Sequence, residues 1–272
     1  MTRRILLVVM IVALAMVFYM VTVVPLFAPF IALPQFSDLS TFVTLFLWLF
    51  SICHASYILG WRQALIFFAL GAVISWGFEQ VGVATGAIYG PYHYTEALGA
   101  KLGHVPIIIP IAWFMMIYPS YVIANLIGTG KPAGTGGGLI RIIWLSVLGA
   151  MTMTAWDLAM DPFGSVVSDP SWIWEQGGPY FGVPLQNFIG WLLTTFTVYL
   201  VYRLIERRMG TQPLAPATTS IVLLPLIAYF IIMSEYLLPQ ATEWAEALRI
   251  VALFGMGFPL LTALGRLLQG PD

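Results

Sequence analysis

Long apolar runs, separated by short polar stretches, recur along the whole chain. Each run approaches the roughly 20 residues that a helix needs to cross the hydrocarbon core of a bilayer. They lie near residues 5–28, 40–59, 62–79, 107–127, 139–160, 187–205, 220–238 and 246–268. The pattern predicts an all-α, polytopic helix bundle with about eight transmembrane helices, of which the last is interrupted by Arg249 and several glycines.

The composition supports this class. The 272 residues are 60% hydrophobic and only 8% charged, which is more apolar surface than a soluble domain of this length can bury. The runs are spread evenly, so we expect a single integral membrane domain over residues 1–272. The net charge of −1 gives no indication of a nucleic-acid partner, and a lone cysteine, Cys53, cannot form an internal disulfide.

The basic residues predict the orientation of the chain in the membrane. One side of the eight-helix arrangement receives Arg3, Arg4, Arg62, Lys131, Arg141, Arg203, Arg207, Arg208 and Arg266. The other side receives only Lys101 and Arg249. By the positive-inside rule both termini are cytoplasmic in a multi-pass protein of the cell membrane. The first run is longer than the core of a secretory signal and has no small-residue cleavage pattern, so we expect it to be a spanning helix.

Two long segments on the outer side, about residues 80–106 and 162–186, are rich in Gly, Pro, Tyr and Trp rather than in charge. Long loops of this kind are usually functional. Their aromatic residues, among them Tyr92, Trp172 and Trp174, are either interfacial anchors or the lining of a pocket. The sequence leaves both interpretations open.

The two outer segments also resemble each other. Each, taken with the helix ends that flank it, has in order an acid, a Val-Pro pair and a tryptophan: Glu79, Pro106 and Trp113 around the first, and Asp157, Pro184 and Trp191 around the second. In both, the acid precedes the proline by 27 residues and the tryptophan follows it by seven. Parallel repeats place binding sites at the interface between the repeated units. Coincidence among abundant Gly, Pro and Trp residues is the other explanation.

A layer of polar residues crosses the predicted helices in the outer half of the membrane. Asp157 and Asp161 are four residues apart, so they share one face of a helix, which Pro162 is expected to stop or bend. At about 1.5 Å per residue from the cytoplasmic side, Glu79, Asp157 and Asn187 all lie at roughly 25 Å. Acidic residues at membrane depth are costly and favour a functional role.

This layer suits acid–base chemistry on an apolar molecule. A carboxyl group in an apolar site can be held neutral as an acid, and a second carboxylate can act as a base towards water. Aromatic faces such as Tyr89, Trp113 and Trp156 can stabilise a carbocation. The same groups suit protonation of a carbon–carbon double bond, or ion or proton transport. Carboxylates near the headgroups can instead simply be solvated by water, and this applies especially to Asp161 and Glu235.

A metal site is a minor hypothesis. His93 and His104 lie in the first outer segment, but no H-x-x-x-H or H-E-x-x-H spacing occurs. We therefore expect no metal.

Several unusual strings occur in an order that resembles the membrane carotenoid-biosynthesis hydratases, a family that includes carotenoid 1,2-hydratases of bacteria and bisanhydrobacterioruberin hydratases of archaea. They are Glu79-x-x-Gly-Val-x-x-Gly-x-Ile-Tyr-Gly-x-Tyr-x-Tyr94, Gly-x-Val-Pro106 with Trp113, Ala-Trp-Asp-Leu-x-Met-Asp-Pro162, Trp172-x-Trp174 and Gly-Val-Pro-x-x-Asn187-Phe-x-Gly-Trp191. The resemblance covers roughly residues 48–205.

The resemblance implies a carbon–oxygen lyase that adds water, without a cofactor, across the C1=C2 double bond of an acyclic carotenoid ψ-end and forms a tertiary alcohol. The implied partners are the carotenoid, water, membrane lipid and other membrane enzymes of the carotenoid pathway. A proton- or cation-coupled transporter, a non-enzymatic carotenoid-binding subunit, and another isoprenoid enzyme such as a cyclase or isomerase remain the alternatives.

Within this hypothesis, Asp157 or Asp161 is the general acid, with a preference for Asp157 because it is the deeper one. Glu79, with Asn187, positions and deprotonates the water. The expected substrate-binding residues are aromatic: Tyr89, Tyr92, Tyr94, Trp113, Trp156, Trp172, Trp174 and Trp191.

Overall fold

The structure, a computed structural model, describes residues 3–36, 38–134, 137–166, 170–238 and 244–269. In this part of the chain eight helices are long and apolar enough to cross a membrane, which confirms the predicted number and the all-α class. They are α1 Arg3–Phe27, α2 Leu39–Leu59, α3 Trp61–Thr85, α4 Ile108–Thr129, α5 Leu139–Val166, α6 Leu185–Met209, α7 Thr219–Leu237 and α8 Ala245–Gln269. A π-helical turn interrupts α1 at Tyr19–Val23 and α8 at Ala252–Met256.

Pro162 is expected from the sequence to stop or to bend its helix. Helix α5 does not stop there but continues to Val166. A proline inside a helix has no N–H for the carbonyl four residues before it. The hydroxyl of Tyr180 donates to that carbonyl, of Leu158, at 2.8 Å. A side chain from the following segment therefore replaces the missing helical hydrogen bond. Tyr180, an aromatic residue of the second long outer segment, has this structural role.

The prolines inside α4 and α7 are compensated in the same way. The carbonyl four residues before Pro119 accepts a hydrogen bond from Ser51 at 2.9 Å, and the carbonyl four residues before Pro225 lies 2.8 Å from His54 Nε2. Since a carbonyl only accepts, His54 Nε2 donates and its Nδ1 accepts from the Tyr118 hydroxyl at 2.6 Å. Helix α2 is thereby fixed against both α4 and α7, and His54 is fully buried between them.

The two long outer connections are joined to each other by two short paired strands. The sequence does not predict these strands. Strand β1, Tyr92–Tyr94, lies between α3 and α4, and β4, Trp172–Trp174, lies between α5 and α6. They pair antiparallel, with Tyr92 opposite Trp174 and Tyr94 opposite Trp172. A second small pair, β2 Lys101–Leu102 and β3 Val105–Pro106, lies within the first connection. We call the β1–β4 pair the ribbon, and the end of the bundle that carries it the outer end, following the predicted orientation.

The predicted repeat is reflected in contacts between corresponding positions. Helices α3 and α4 correspond to α5 and α6 at a spacing of 78 residues. Three pairs at this spacing are in direct contact: Trp113 with Trp191, Tyr94 with Trp172, and Asn125 with Arg203. Equivalent positions can touch only where the two units meet, close to the axis that relates them. These contacts support a parallel repeat, and two of the three lie at the outer end.

Arg203 departs from the charge pattern that predicts the orientation. Its side chain is fully buried, donates to Asn125 Oδ1 at 2.6 Å and lies 4.5 Å from the centre of the Tyr121 ring. Arg203 is therefore a buried residue of the bundle and not a surface charge. The orientation itself stays a prediction that rests on the other basic residues.

Candidate active site

A cavity of about 1260 Å³ lies at the outer end of the bundle, under the ribbon. Its wall includes all the predicted site residues except Asp157: Asp161, Glu79, Asn187, Tyr89, Tyr92, Tyr94, Trp113, Trp156, Trp172, Trp174 and Trp191. Glu235 of α7, which the sequence places near this layer, also lines the cavity. Polar groups from α3, α5, α6 and α7 thus line the same cavity.

The two aspartates of α5 meet an amide of α6. Asn187 Nδ2 donates to Asp157 Oδ2 at 3.0 Å and to Asp161 Oδ2 at 2.6 Å. The other oxygen of Asp161 accepts from the indole N–H groups of Trp172 and Trp174, at 2.8 and 2.9 Å. The helical spacing of four residues places both carboxyl groups on the face that α6 covers, as the sequence predicts.

The surroundings of the two aspartates differ. Asp157 is fully buried, and its Oδ1 has no hydrogen-bond partner among the described residues. Asp161 is 2% exposed but forms part of the cavity wall, which Asp157 does not. The deeper aspartate, which the sequence favours as the acid, is therefore separated from the cavity, and the one that faces it is Asp161.

Glu79 of α3 is held by three aromatic donors. The Tyr92 hydroxyl donates to its carboxyl group, the Tyr94 hydroxyl donates to Oε2 at 2.9 Å, and Trp113 Nε1 donates to Oε1 at 3.1 Å. These three donors orient the carboxyl group and make use of it as a hydrogen-bond acceptor. Burial, and then the charge of Glu79, raises the pKa of Tyr92 and Tyr94 well above the usual range. Both phenols therefore keep their protons and remain donors.

The site thus consists of two half-sites under one ribbon. The glutamate half-site is Glu79 with Tyr92, Tyr94 and Trp113, and the aspartate half-site is Asp157, Asp161 and Asn187 with Trp172 and Trp174. Each takes two donors from alternate positions of one strand, because alternate side chains of a strand lie on the same face. Glu79 and Asp161 lie on the wall of the same cavity.

An aromatic wall connects the half-sites. The indoles of Trp113 and Trp191 stack with ring centres 4.1 Å apart, and Trp156 meets Trp191 edge-on at 5.9 Å. Trp156 is oriented by a hydrogen bond from its Nε1 to the Tyr236 hydroxyl at 3.1 Å. All three rings line the cavity, and a cation is attracted to the face of an aromatic ring.

Tyr89 is fixed between α3 and α6. A Cβ atom at either Gly82 or Gly190 would lie 2.5 Å from the Tyr89 ring, so both positions require glycine. The Tyr89 hydroxyl lies 2.7 Å from Thr194 Oγ1 and donates to it, because Thr194 uses its own proton on the Gly190 carbonyl. A residue that the sequence suggests for the cavity wall thus has a defined orientation.

The histidines of the first connection do not join the site. His93 points outward from the ribbon, where its Nδ1 lies 3.3 Å from Glu175, and His104 is exposed. Within the described ranges, no group of three or more His, Cys, Asp or Glu side chains is placed to hold a metal ion.

The sequence misses the ribbon, although two short strings carry a trace of it. Tyr-His-Tyr and Trp-Ile-Trp alternate in the way that strands do, with the outward residue in the middle. Because this alternation covers only three residues, it does not predict which segments pair.

Comparison with known proteins indicates the same family as the sequence motifs. A family model described as carotenoid biosynthesis protein matches residues 39–260. The chain is also similar to the bisanhydrobacterioruberin hydratase of Haloarcula japonica, with 34% identity over 142 residues. That match covers 52% of this chain and 45% of the hydratase, so it spans less than half of the relative's length. No solved structure matches the chain.

Proposed function

The chain belongs to the family of carotenoid biosynthesis proteins, and from this premise we propose that it is a membrane hydratase. It adds water across the C1=C2 double bond of an acyclic carotenoid ψ-end and leaves a tertiary alcohol at C1. The observation that carries the proposal is the presence of two differently built acid half-sites on the wall of one aromatic cavity. The similarity to a hydratase supports the reaction type. Hydration is redox-neutral, so the reaction requires no redox cofactor.

The first step is transfer of a proton to C2. Two adjacent carboxyl groups in an apolar site do not both ionise, so Asp157 and Asp161 share one proton. Asp161 delivers it, because this is the aspartate on the cavity wall. Asp157 and Asn187 are positioning residues in this step, since they hold and orient Asp161. The electron pair of the double bond forms the new C2–H bond and leaves a tertiary cation at C1.

The aromatic wall stabilises this cation. Trp113, Trp156 and Trp191 supply ring faces in a site from which bulk water is largely excluded, where each cation–π contact is worth about 2 kcal/mol. Exclusion of bulk water also limits uncontrolled capture of the cation by water and loss of a proton from the cation.

The second step is capture of the cation by water. The water oxygen forms the C1–O bond while one water proton passes to Glu79, which Tyr92, Tyr94 and Trp113 hold as an acceptor. That proton then returns through water to the aspartate pair. The cycle consumes one water, and every carboxyl group regains its starting state.

The test is pigment analysis in a lycopene-producing host. Cells that express the protein should accumulate a pigment heavier than the parent carotene by one water per hydrated end. Cyclised or isomerised pigment without added oxygen would instead indicate a protonating enzyme that does not capture water. Unchanged pigment at normal protein levels would contradict the proposal.

A further inference from the structure

Among the described residues, the exposed part of the cavity wall lies at the outer end of the bundle. Most of the wall is buried or half-buried, and the exposed wall residues lie together at the outer end of α1, the start of α2 and the first outer connection. They are Pro25, Asp38, Leu39, Ser40 and Ala97. We call these five residues the mouth.

The segment beside the mouth is apolar, although it joins two helices at the membrane surface. Residues 25–36 carry no charged side chain, and Phe27, Phe30 and Ile31 are 50%, 81% and 55% exposed. Exposed apolar surface of this kind marks an interaction site. We call residues 25–36 the lip.

The lip is an ordered structure. The backbone N–H groups of Phe30 and Ile31 both donate to the Phe27 carbonyl, at 2.9 and 3.0 Å. The Tyr19 hydroxyl donates to the Pro34 carbonyl at 2.8 Å, which ties the returning chain to α1. The tip thus satisfies amides that would be costly to leave unpaired in an apolar medium.

The charges on either side of the lip set its depth. No charged residue occurs between Arg4 and Asp38, so the lip continues the lipid-facing surface of α1 without a polar boundary. Hydrogen bonding to Thr41 lowers the pKa of Asp38, which caps α2 and stays ionised. An ionised Asp38 belongs at headgroup level, so the phenyl groups of the lip lie at the boundary with the acyl chains.

We propose that the lip is inserted in the outer leaflet and that the acyclic polyene passes along it, through the mouth, into the cavity. The route suits such a molecule because α1 and α4 line the cavity with apolar side chains apart from the indole of Trp113. The identity of the passenger rests on the proposed function. Insertion of the lip into lipid does not.

Insertion is tested by labelling Phe30→Cys with a fluorophore and adding lipids that carry a quencher near the headgroup end of the acyl chain. The native Cys53 is 4% exposed, so the label is selective. Glu96→Cys is the matched control, because its side chain is 91% exposed in a polar stretch of the same end. The label at position 30 should be quenched strongly and the label at position 96 weakly. Equal quenching at the two positions overturns the insertion.

The route is tested by narrowing the mouth with Ser40→Phe and Ala97→Phe. The measurement is the rate at which a polyene added in vesicles quenches the protein's tryptophan fluorescence. Each variant should slow this rate by about tenfold, since crowding of about 1.4 kcal/mol in the passage has that effect. Leu102→Phe is the control: it is 59% exposed in the same connection but does not line the cavity, and it should bind at the parent rate.

Equilibrium binding distinguishes the route from damage to the site. The narrowed variants should reach the same final quenching as the parent, only later. Lower final quenching, or a rate equal to that of Leu102→Phe, overturns the route. A parent that binds the polyene and never hydrates it contradicts the proposed function, while the binding rates still decide the route.

Discussion

The two half-sites occupy corresponding positions in the repeated units but are built differently. The glutamate half-site has one carboxyl group that accepts from three aromatic donors, whereas the aspartate half-site has two carboxyl groups bridged by Asn187. The ribbon supplies two aromatic donors to each side. Because the scaffold is shared, the difference lies in the second carboxyl group and the amide. We propose that this difference makes one side a base and the other an acid.

The pairs of equivalent residues that meet show a related difference. Where both members are aromatic, as in Trp113 and Trp191, identical groups stack well. Two buried arginines or two buried carboxylates at such a position would repel each other. The pair Asn125 and Arg203 avoids this, because one member accepts the hydrogen bond that the other donates.

The largest effect is expected for Asp161→Asn, which removes the proton donor but keeps the shape. Conversion of the carotenoid should fall by about a thousandfold, the middle of the range for loss of a positioned acid. The measurement is initial rate with purified protein in vesicles. Glu175→Gln is the control, because this acid is exposed in the connection that follows α5. If Asp161→Asn is as active as this control, the assignment of Asp161 as the acid is contradicted.

Glu79→Gln should follow, with a loss of about a hundredfold, because water alone is a weak nucleophile towards a cation that can also lose a proton. The pigment that forms when the cation loses a proton instead of capturing water should increase in proportion. Glu96→Gln serves as the control from the first connection, where the acid is exposed. Equal rates for the two variants would remove Glu79 from the mechanism.

A smaller and matched pair of effects is expected from the ribbon. Tyr94→Phe removes one donor from Glu79 and Trp172→Phe removes one from Asp161. Loss of one hydrogen bond to a charged group should lower the rate by about tenfold in each variant. The two should differ in product: only Tyr94→Phe should raise the proton-loss pigment. If neither variant changes the rate, the ribbon only covers the site.

The smallest effect is expected for His93→Asn. His93 and Glu175 are about half exposed on the outer face of the ribbon, and an exposed pair contributes at most about 1 kcal/mol to stability. Activity should stay within about twofold of the parent, because His93 does not touch the cavity. A large loss in this variant would show that the ribbon depends on its outer face.

The sequence predicts the helices and the polar layer because both depend on local regularities. Hydrophobic length defines the eight spans, and the rise per residue brings Glu79, Asp157 and Asn187 to one level. Which aspartate faces the cavity is not predictable in this way, since the two lie one turn apart on the same face.

The features that the sequence does not predict all depend on partners distant in the chain. The continuation of α5 through Pro162 depends on Tyr180, and the ribbon depends on pairing between two three-residue strands. The burial of Arg203 depends on Asn125 of another helix. In each case the local pattern indicates a break, a loop or a surface charge, and a tertiary contact changes the outcome.

The most direct test of the central claim is turnover by purified protein in lipid vesicles, in water labelled with heavy oxygen and deuterium. The account predicts a tertiary alcohol with labelled oxygen at C1 and one deuterium at C2, formed by the parent and not by Asp161→Asn. A product with unlabelled oxygen, or deuterium at C2 without a hydroxyl group at C1, would contradict it.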